Sequence, residues 1–540
     1  MIIILNRPHE DARMRSRLSL MMASASLALM LPAAGSAAKF RFAGPLDAYT
    51  LDPHAISNTL VFAVLRNVYE PLVQRGPDLS LQPVLATEWT QVDPNTWEFK
   101  LREGVTYSNG NPFNADDVVF SFERAKKGGM ASHLAEVASI EKVDDLTVRF
   151  LSDLPNPILP NQIVNWFMMD REWAEANGAT EPGQADNTTE SFANRNTNGT
   201  GAYVISARDP GVSTEFTARP EWWGQITGNV DKATFFVIPN PATRVSALIT
   251  GEVEMIDGVP PQDTQRIENT DGLRIAATPD VRTVYIQPDV ARDTLIHGGG
   301  VEGNPFKDVR VREAMTLAID RDAIQSRIMR GYSTPVGLPI GKEVEGSTDA
   351  LNTPPPQDLE RARALMAEAG YGEGFDVALD CTNDRFMNDE ATCLAVGSML
   401  GEIGIRVTPR AQPTARWAQQ INPPGYDTSL AMLSYAPYTY DGHQFLSSIA
   451  VTRNEETGGG QFNIGGYSNP EVDRLTAEIG AETDPEARAA LLAEVFGLLK
   501  DDYAFIPLHQ LQILWGLKEG VEVVQLADLS YPLAWFTVPE

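Results

Sequence analysis

The sequence is poor in the residues that build metal sites and reactive centres. Its 540 residues include two cysteines and six histidines, and the histidines are scattered along the chain. The motifs typical of zinc proteases, serine hydrolases, phosphate-binding loops and calcium-binding loops do not occur. A GxGxxG spacing at residues 298–303 is followed by Asn-Pro where a helix would have to start, so it predicts a loop. We therefore predict a protein without catalytic activity, metal or cofactor.

Positive charge and long apolar runs are also scarce. Lysine and arginine number 43 against 72 aspartate and glutamate residues, and the formal net charge is −29. Such an acidic surface repels phosphate backbones, so we predict no nucleic-acid partner. Downstream of the N-terminus, no stretch approaches the ~18 consecutive apolar residues of a membrane span. The mature chain is therefore not expected to cross a membrane.

The N-terminus has the pattern of a secretory signal peptide. Three arginines precede an apolar run from Leu18 to Leu31, and small residues follow as far as Ala38. We predict that residues 1–38 form the signal peptide, that cleavage occurs near Ala38, and that the mature protein is periplasmic. Met14 is an alternative start, because the leader before it is long. No cysteine lies at the cleavage site, so we expect a free protein without a lipid anchor.

The stretch from Ala86 to Glu123 carries the clearest local pattern. Between Thr96 and Arg102, apolar and polar residues alternate, which is typical of a half-buried strand. Asn114 precedes two aspartates and an amphipathic run, so it predicts the N-cap of a short helix. Together these patterns predict a unit of sheet and helix.

This stretch resembles a known family. The run TWEFKLREGVTYSNGNPFNADDVVFSFERA is similar to the signature region of the extracellular solute-binding proteins, family 5, of peptide, opine and nickel ABC importers. NGTGAY at residues 198–203 is similar to another family element, with Ala202 replacing the usual proline, and NPFKDVRVREA at residues 304–314 is similar to a third. The resemblance covers nearly all of residues 40–540.

The resemblance implies an α/β protein with the two-lobed periplasmic-binding-protein fold, similar to type II, with an extra subdomain on lobe I. It also implies that lobe I is discontinuous in sequence. The expected segments after the signal peptide are lobe I (39–83), its accessory subdomain (84–189), the second segment of lobe I (190–280), lobe II (281–508) and the C-terminal return to lobe I (509–540).

The two cysteines, Cys381 and Cys393, lie close together in a segment that resembles a cysteine-bearing subgroup of this family. In an exported protein two such thiols are expected to pair. A disulfide between them would close a short loop and contribute roughly 3 kcal/mol by the loop-entropy model. A metal-binding or redox pair is the alternative.

Two segments hold most of the candidate ligand contacts. In the family, the loop after the first Leu-Asp-Pro element faces the cleft, which implies Ser57, Asn58 and Thr59; a helix N-cap cluster is the alternative interpretation. The segment LSYAPYTYDGHQFL at residues 433–446 is similar to the family segment that lines the cleft in lobe II, and Asp441 matches an acidic position there.

Tyr438 occupies the position at which peptide-binding members carry a carboxylate for the peptide amine. A buried ammonium without an anionic partner is costly, so this residue puts capture of a free amine in doubt unless another acid supplies the charge. Tyr435, Tyr438 and Tyr440, with Trp417, could instead stack on sugar rings or apolar groups, or fill the core. His443 is a further candidate contact, and Arg385 and Arg416 are candidate carboxylate partners or surface residues.

The functional prediction is the periplasmic substrate-binding subunit of an ABC importer. Hinge closure would trap a solute, and the closed form would dock on a membrane permease. A peptide or peptide-like solute is the first expectation, and an oligosaccharide or opine is the alternative. A secreted hydrolase and an exported sensory binder that feeds no transporter are the other classes considered. We expect a monomer.

Overall fold

The computed structural model describes residues 38–184 and 191–539, so the predicted signal peptide lies, apart from Ala38, outside the described residues. The strands are β1 (Ala38–Gly44), β2 (Val73–Arg75), β3 (Leu81–Pro83), β4 (Ala86–Asp93), β5 (Thr96–Leu101), β6 (Val137–Asp144), β7 (Thr147–Ser152), β8 (Tyr203–Asp209), β9 (Ser213–Ala218), β10 (Val230–Val237), β11 (Met255–Asp257), β12 (Leu273–Pro288), β13 (Gly298–Gly299), β14 (Ser333–Pro335), β15 (Phe375–Thr382), β16 (Ile405–Gln412), β17 (Leu430–Tyr435) and β18 (Ile506–Lys518).

The α-helices are α1 (Thr59–Leu65), α2 (Ala115–Ala125), α3 (Leu159–Gln162), α4 (Arg171–Ala176), α5 (Pro241–Ile249), α6 (Pro261–Glu268), α7 (Val309–Ala318), α8 (Arg321–Ala323), α9 (Asp349–Asn352), α10 (Leu359–Glu368), α11 (Asp389–Gly401), α12 (Thr414–Ile421), α13 (Gly442–Phe445), α14 (Pro470–Ala481) and α15 (Pro485–Asp501). Short 3₁₀ turns lie at Ala131–Leu134, Phe192–Asn194, Pro305–Lys307 and Leu533–Trp535, and π turns at Ile324–Ile328 and Leu446–Ala450. Within these described parts of the chain, none of the helices combines the length and apolar character needed to cross a membrane.

A mixed sheet of 12 strands connects two lobes. The antiparallel pair β12 and β18 lies in its middle. In lobe I, β11 pairs with the end of β18 from Trp515 to Leu517, and β1, β10, β9 and β8 follow outward. In lobe II, β17 pairs with the end of β12 from Thr283 to Pro288, and β15, β16 and β13 extend the sheet. The two long strands therefore pass from one lobe into the other.

The pairing of β12 with β18 is irregular at this crossing. Its register shifts between Pro279 and Thr283. An irregularity of this kind bends a strand and turns its side chains out of the regular alternation. Residues 280–282 are therefore presented at the junction between the lobes.

The accessory part of lobe I is a four-stranded antiparallel sheet in the order β4-β5-β7-β6, and α2 contacts it. The strand predicted from alternation is β5, in which Phe99 and Leu101 are buried and Lys100 is exposed. The predicted N-cap of α2 is confirmed, because Asn114 and Asp117 form a reciprocal capping box. Local sequence signals thus suffice for this unit.

The apolar side chains are buried in separate clusters on the two sides of the long strands. The largest includes Phe40, Phe42 and Trp515 and lies in lobe I and its accessory sheet. Two clusters fill lobe II, one around Phe375 and the other around Phe445. Each lobe therefore has its own core, which allows the lobes to move as units.

The predicted disulfide is confirmed: Cys381 in β15 is bonded to Cys393 in α11, and both residues are buried. It ties a helix to a central strand of lobe II. The positions at which the predicted segments divide lobe I, its accessory subdomain and lobe II stay predictions.

Candidate functional site

Three connected cavities lie between the lobes and in the adjoining face of lobe II. We call them the hinge chamber (about 60 Å³, lined by Thr59, Arg75, Asp280, Tyr440 and Asp528 among others), the middle chamber (about 460 Å³, lined by Ser57, His133, Gln162, Tyr438 and His443 among others) and the lobe II chamber (about 370 Å³, lined by Arg385, Trp417, Leu433 and Tyr435 among others). Tyr438 lines the first two, and Tyr435 lines the second and third. The three chambers therefore form one cleft.

The tyrosine segment, residues 435–440, begins at the last residue of β17 and forms the lobe II wall of this cleft. The Tyr438 ring lies against the imidazole of His133, with the ring centroids 4.0 Å apart. The Tyr440 ring lies beneath the guanidinium of Arg75, at 4.7 Å from Cζ to the ring centroid. Arg75 also donates a hydrogen bond of 2.7 Å to the carbonyl oxygen of Thr439. The structure thus brings all three predicted tyrosines to the cleft.

Asp441 lies below this wall. Its carboxylate caps α13 by accepting a hydrogen bond from the backbone N–H of His443, and it forms a bidentate ion pair with Arg488 at 2.6 and 2.8 Å. The side chain has no exposed surface, and the residue is not part of the lining of the three chambers. Asp441 therefore positions the tyrosine segment from beneath.

The three candidate contacts in the first loop have different roles. Asn58 caps α1, because its side-chain oxygen accepts hydrogen bonds from the backbone N–H groups of Leu60 and Val61. Ser57 lines the middle chamber, where its hydroxyl lies 2.8 Å from Nε2 of His133. Thr59 lines the hinge chamber. Ser57 and Thr59 thus lie at the cleft, whereas Asn58 is a helix cap.

The middle chamber is polar. The hydroxyl-bearing residues Ser57, Ser132, Thr439, Ser447 and Ser448 are among its lining. Burial lowers the pKa of His133 to about 4, so its imidazole is neutral at pH 7. Burial also lowers the pKa of His443, although the carboxylate of Asp441 acts in the opposite direction. The chamber therefore offers many neutral hydrogen-bonding groups beside the carboxylate of Glu136.

The lobe II chamber is lined by a cation, Arg385, whose side chain is exposed. The Arg385 guanidinium lies over the Trp417 ring, at 5.0 Å from Cζ to the ring centroid. It forms no hydrogen bond or ion pair with any residue that the structure describes; only the backbone N–H of Arg385 donates, to Asp389. Partial desolvation beside the chamber wall, followed by the nearby charge of Arg282, lowers the pKa of Arg385. This guanidinium is therefore available to an anionic group of a ligand.

Several residues of the cleft were not predicted from the sequence. They are Arg75, His133, Gln162, Asp280, Arg282 and Asp528. Asp280 and Arg282 did give a signal, because they are charges inside a 16-residue strand that is otherwise largely buried in its second half. His133 and Asp528 lie in short connecting segments without any such signal. Within residues 38–184 and 191–539, no group of three or more His, Cys, Asp or Glu side chains could hold a metal ion.

Comparison with known proteins agrees with this architecture. The profile of the bacterial extracellular solute-binding proteins, family 5 (middle region), matches residues 80–456, which confirms the resemblance inferred from the sequence. The glutathione-binding protein GsiB of Shigella flexneri is 25% identical over 507 residues, covering 92% of this chain and 94% of GsiB.

Solved structures share the two-lobed fold. HbpA2 from Haemophilus parasuis has a TM-score of 0.79 at 21% identity, covering 93% of this chain and 100% of HbpA2. The periplasmic binding protein DppA from Helicobacter pylori, in complex with the peptide STSA, has a TM-score of 0.72 at 20% identity, covering 92% of this chain and 96% of DppA. The predicted α/β fold of two lobes is thereby confirmed.

Proposed function

Since this chain belongs to the bacterial extracellular solute-binding proteins, family 5, we propose that it is the periplasmic binding subunit of an ABC importer whose solute is a short peptide or peptide-like molecule with a free carboxylate. The similarity to glutathione-binding GsiB and to DppA, which was solved with a peptide, supports a solute of this class. The membrane permease is the proposed partner. A monomeric state and the lack of a nucleic-acid partner stay predictions.

The observation that carries this proposal is the unpaired guanidinium of Arg385. A cation that lines the cleft without an anionic partner among the described residues is free to pair with an anionic group of a solute. A guanidinium binds a carboxylate through two parallel hydrogen bonds. Trp417, on which Arg385 lies, fixes the guanidinium plane and provides an apolar wall for the adjoining part of the solute.

Hinge closure follows from how the cleft is built. Its lining comes from both lobes, and the irregular part of β12 lies at the crossing between them. A solute that contacts both sides has more favourable contacts in the closed form, so it shifts the equilibrium towards closure. Contacts such as the Arg75 hydrogen bond to Thr439 would then form or strengthen as the lobes approach. The closed form is the state that would dock on the permease.

The middle chamber favours a second candidate solute. Its serine and threonine hydroxyls, with the faces of Tyr435 and Tyr438, suit a polyhydroxylated molecule such as a sugar or an opine. An opine also carries carboxylates and would satisfy Arg385.

Native mass spectrometry tests the proposal directly. The mature protein is purified from a periplasm without refolding, and its native mass is compared with its denatured mass. A bound mass that fragments as amino acids supports the peptide proposal, and one discrete sugar-containing mass supports the second candidate.

If no mass is retained, thermal shift and calorimetry with S-methylglutathione and tri-alanine follow, since binding raises the melting temperature by mass action. Failure of both peptides to bind at millimolar concentration would overturn the peptide proposal.

A further inference from the structure

We propose that the hinge chamber binds the ammonium group of the solute, with Asp280, Asp528 and the Tyr440 hydroxyl as the groups that hold it. This inference rests on the proposed function and adds a specificity-determining site to it. It also supplies the acid that is missing at Tyr438.

Asp280 is the central group. It lies in the irregular part of β12 that crosses between the lobes, and its side chain is only 13% exposed. Its carboxylate accepts a hydrogen bond of 3.0 Å from the backbone N–H of Arg282. The Arg282 Nε atom is 3.7 Å away, beyond hydrogen-bonding distance. With so few donors, the desolvation cost of this buried carboxylate is only partly offset. A cationic group of the ligand would offset the rest.

Two further residues with acceptor oxygens line the same chamber from other segments. Asp528, which follows β18, lines the chamber and forms an ion pair with Arg66, with 3.2 Å between its carboxylate oxygen and the guanidinium nitrogen. The Tyr440 hydroxyl is buried without a hydrogen-bond partner among the described residues. Burial first, then the carboxylates of Asp528 and Asp280, raises the pKa of Tyr440 well above its usual range, which reflects how near these groups are. An ammonium has three N–H donors, one for each acceptor.

The cations around the chamber do not fill this role. Arg75 is engaged with the carbonyl oxygens of Leu79 and Thr439 and with the Tyr440 ring. The Arg282 guanidinium makes no hydrogen bond to any residue in the described parts of the chain. It remains available to an oxygen next to the ammonium, which is the first carbonyl in an α-linked peptide and the α-carboxylate in a γ-glutamyl peptide. Asp280 and Arg282 together thus match the head group of an amino acid.

The size and position of the hinge chamber suit a terminal group of the solute. Its volume of about 60 Å³ is small beside the middle and lobe II chambers. It shares no lining residue with the lobe II chamber, which holds Arg385. The solute would therefore lie with its amine towards the hinge and its carboxylate towards lobe II. Because Asp280, Tyr440 and Asp528 come from β12, lobe II and the C-terminal segment, binding the amine would favour closure.

Calorimetry with matched peptides tests the inference. The probes are S-methylglutathione and tri-alanine, each with a free amine and as its N-acetyl form. We expect the wild type to bind the free-amine form of a peptide at least tenfold more tightly than its N-acetyl form. Asp280→Asn should weaken the free-amine complex at least tenfold and the N-acetyl complex less than twofold. Tyr440→Phe should act in the same direction with a smaller change.

The variants are designed to separate recognition from folding. Asparagine keeps the oxygen that accepts the Arg282 N–H, so the melting temperature of ligand-free Asp280→Asn should not fall. Asp289→Asn is the matched control, because Asp289 directly follows β12, also accepts hydrogen bonds in a turn and pairs with Arg292 outside the three chambers. It should leave all affinities unchanged.

The outcomes separate the two proposals. The ammonium site would be overturned if the wild type bound free-amine and N-acetyl peptides with equal affinity. It would also be overturned if Asp280→Asn lost equal affinity for the two forms. Either result would leave the peptide proposal standing. Failure of the wild type to bind any of the four peptides would overturn the peptide proposal, and the ammonium site with it. Binding of either free-amine peptide with the expected acetylation effect supports the site, and the preferred peptide identifies the oxygen that Arg282 binds.

Discussion

The Tyr438 ring and the His133 imidazole lie 4.0 Å apart, centroid to centroid, with an angle of 32° between their planes. Tyr438 comes from the lobe II wall and His133 from the opposite wall of the middle chamber. Because burial keeps His133 neutral, this contact is one between two uncharged rings. It places the Tyr438 ring beside both the hinge and the middle chamber, where a bound solute would meet it.

We expect Tyr438→Ala to weaken solute binding by about 1 kcal/mol or more, as loss of a buried aromatic anchor does. Tyr438→Phe is the matched control and should bind nearly as well as the wild type, because it keeps the ring. Isothermal titration calorimetry with the co-purified solute, or with S-methylglutathione, measures the difference. An unchanged affinity in Tyr438→Ala would remove this residue from the site.

Arg385→Gln should weaken binding of a peptide carboxylate by roughly 1.5–3 kcal/mol, the usual range for a hydrogen bond to a charged group. A peptide amide should bind the variant and the wild type about equally. Arg416→Gln is the control, because Arg416 lies on the neighbouring helix α12 but does not line the chamber. If the variant lost equal affinity for the carboxylate and the amide, Arg385 would be shaping the chamber without binding the charge.

The local elements of this fold are largely predictable from sequence because their causes are local. The alternation in β5 and the capping box of α2 depend on residues within a few positions of each other. The family resemblance adds the cleft-lining role of the tyrosine segment, which periodicity alone does not contain. It also anticipates the disulfide between Cys381 and Cys393.

The rest of the site is not predictable in this way, because its residues meet only through the arrangement of the lobes. Asp280 and Asp528 are 248 positions apart in the sequence and approach each other because β12 and β18 are paired. His133 meets Tyr438 across the cleft, so neither residue carries a local sign of the other. For Asp441 the sequence motif predicts a position in the cleft. In the structure, Arg488 from α15 binds its carboxylate in the interior of lobe II instead.

Arg488→Met should destabilise the protein by about 3–5 kcal/mol, because it leaves the buried carboxylate of Asp441 without its partner. The double variant Asp441→Asn with Arg488→Met should recover part of this loss, because it leaves no uncompensated charge. Urea unfolding followed by circular dichroism gives the comparison. A loss below about 1 kcal/mol in the single variant would mean that water compensates for the missing guanidinium.

Glu70 should make stability depend on pH in the direction opposite to most carboxylates. Its side chain is buried in lobe I, where burial raises its pKa to about 7 although the Trp223 indole donates a hydrogen bond of 2.8 Å to it. The ordinary value is 4.5. Between these two values the folded state binds more protons at this residue than the unfolded state does. The contribution of Glu70 therefore destabilises the fold progressively as pH rises from 4.5 to 7.

Glu70→Gln removes this titration and keeps an acceptor for the indole N–H. The free energy of unfolding of the variant, relative to the wild type, should increase between pH 4.5 and pH 7.5, by at most about 3 kcal/mol from the size of the shift. The contributions of the other carboxylates cancel in this difference. Glu88→Gln, at an exposed position of β4, is the control and should show no such trend. Chemical denaturation at three or more pH values measures it. A difference that stays constant with pH would show that water or a nearby cation stabilises the ionised Glu70, and that this carboxyl titrates near its ordinary value in the folded protein.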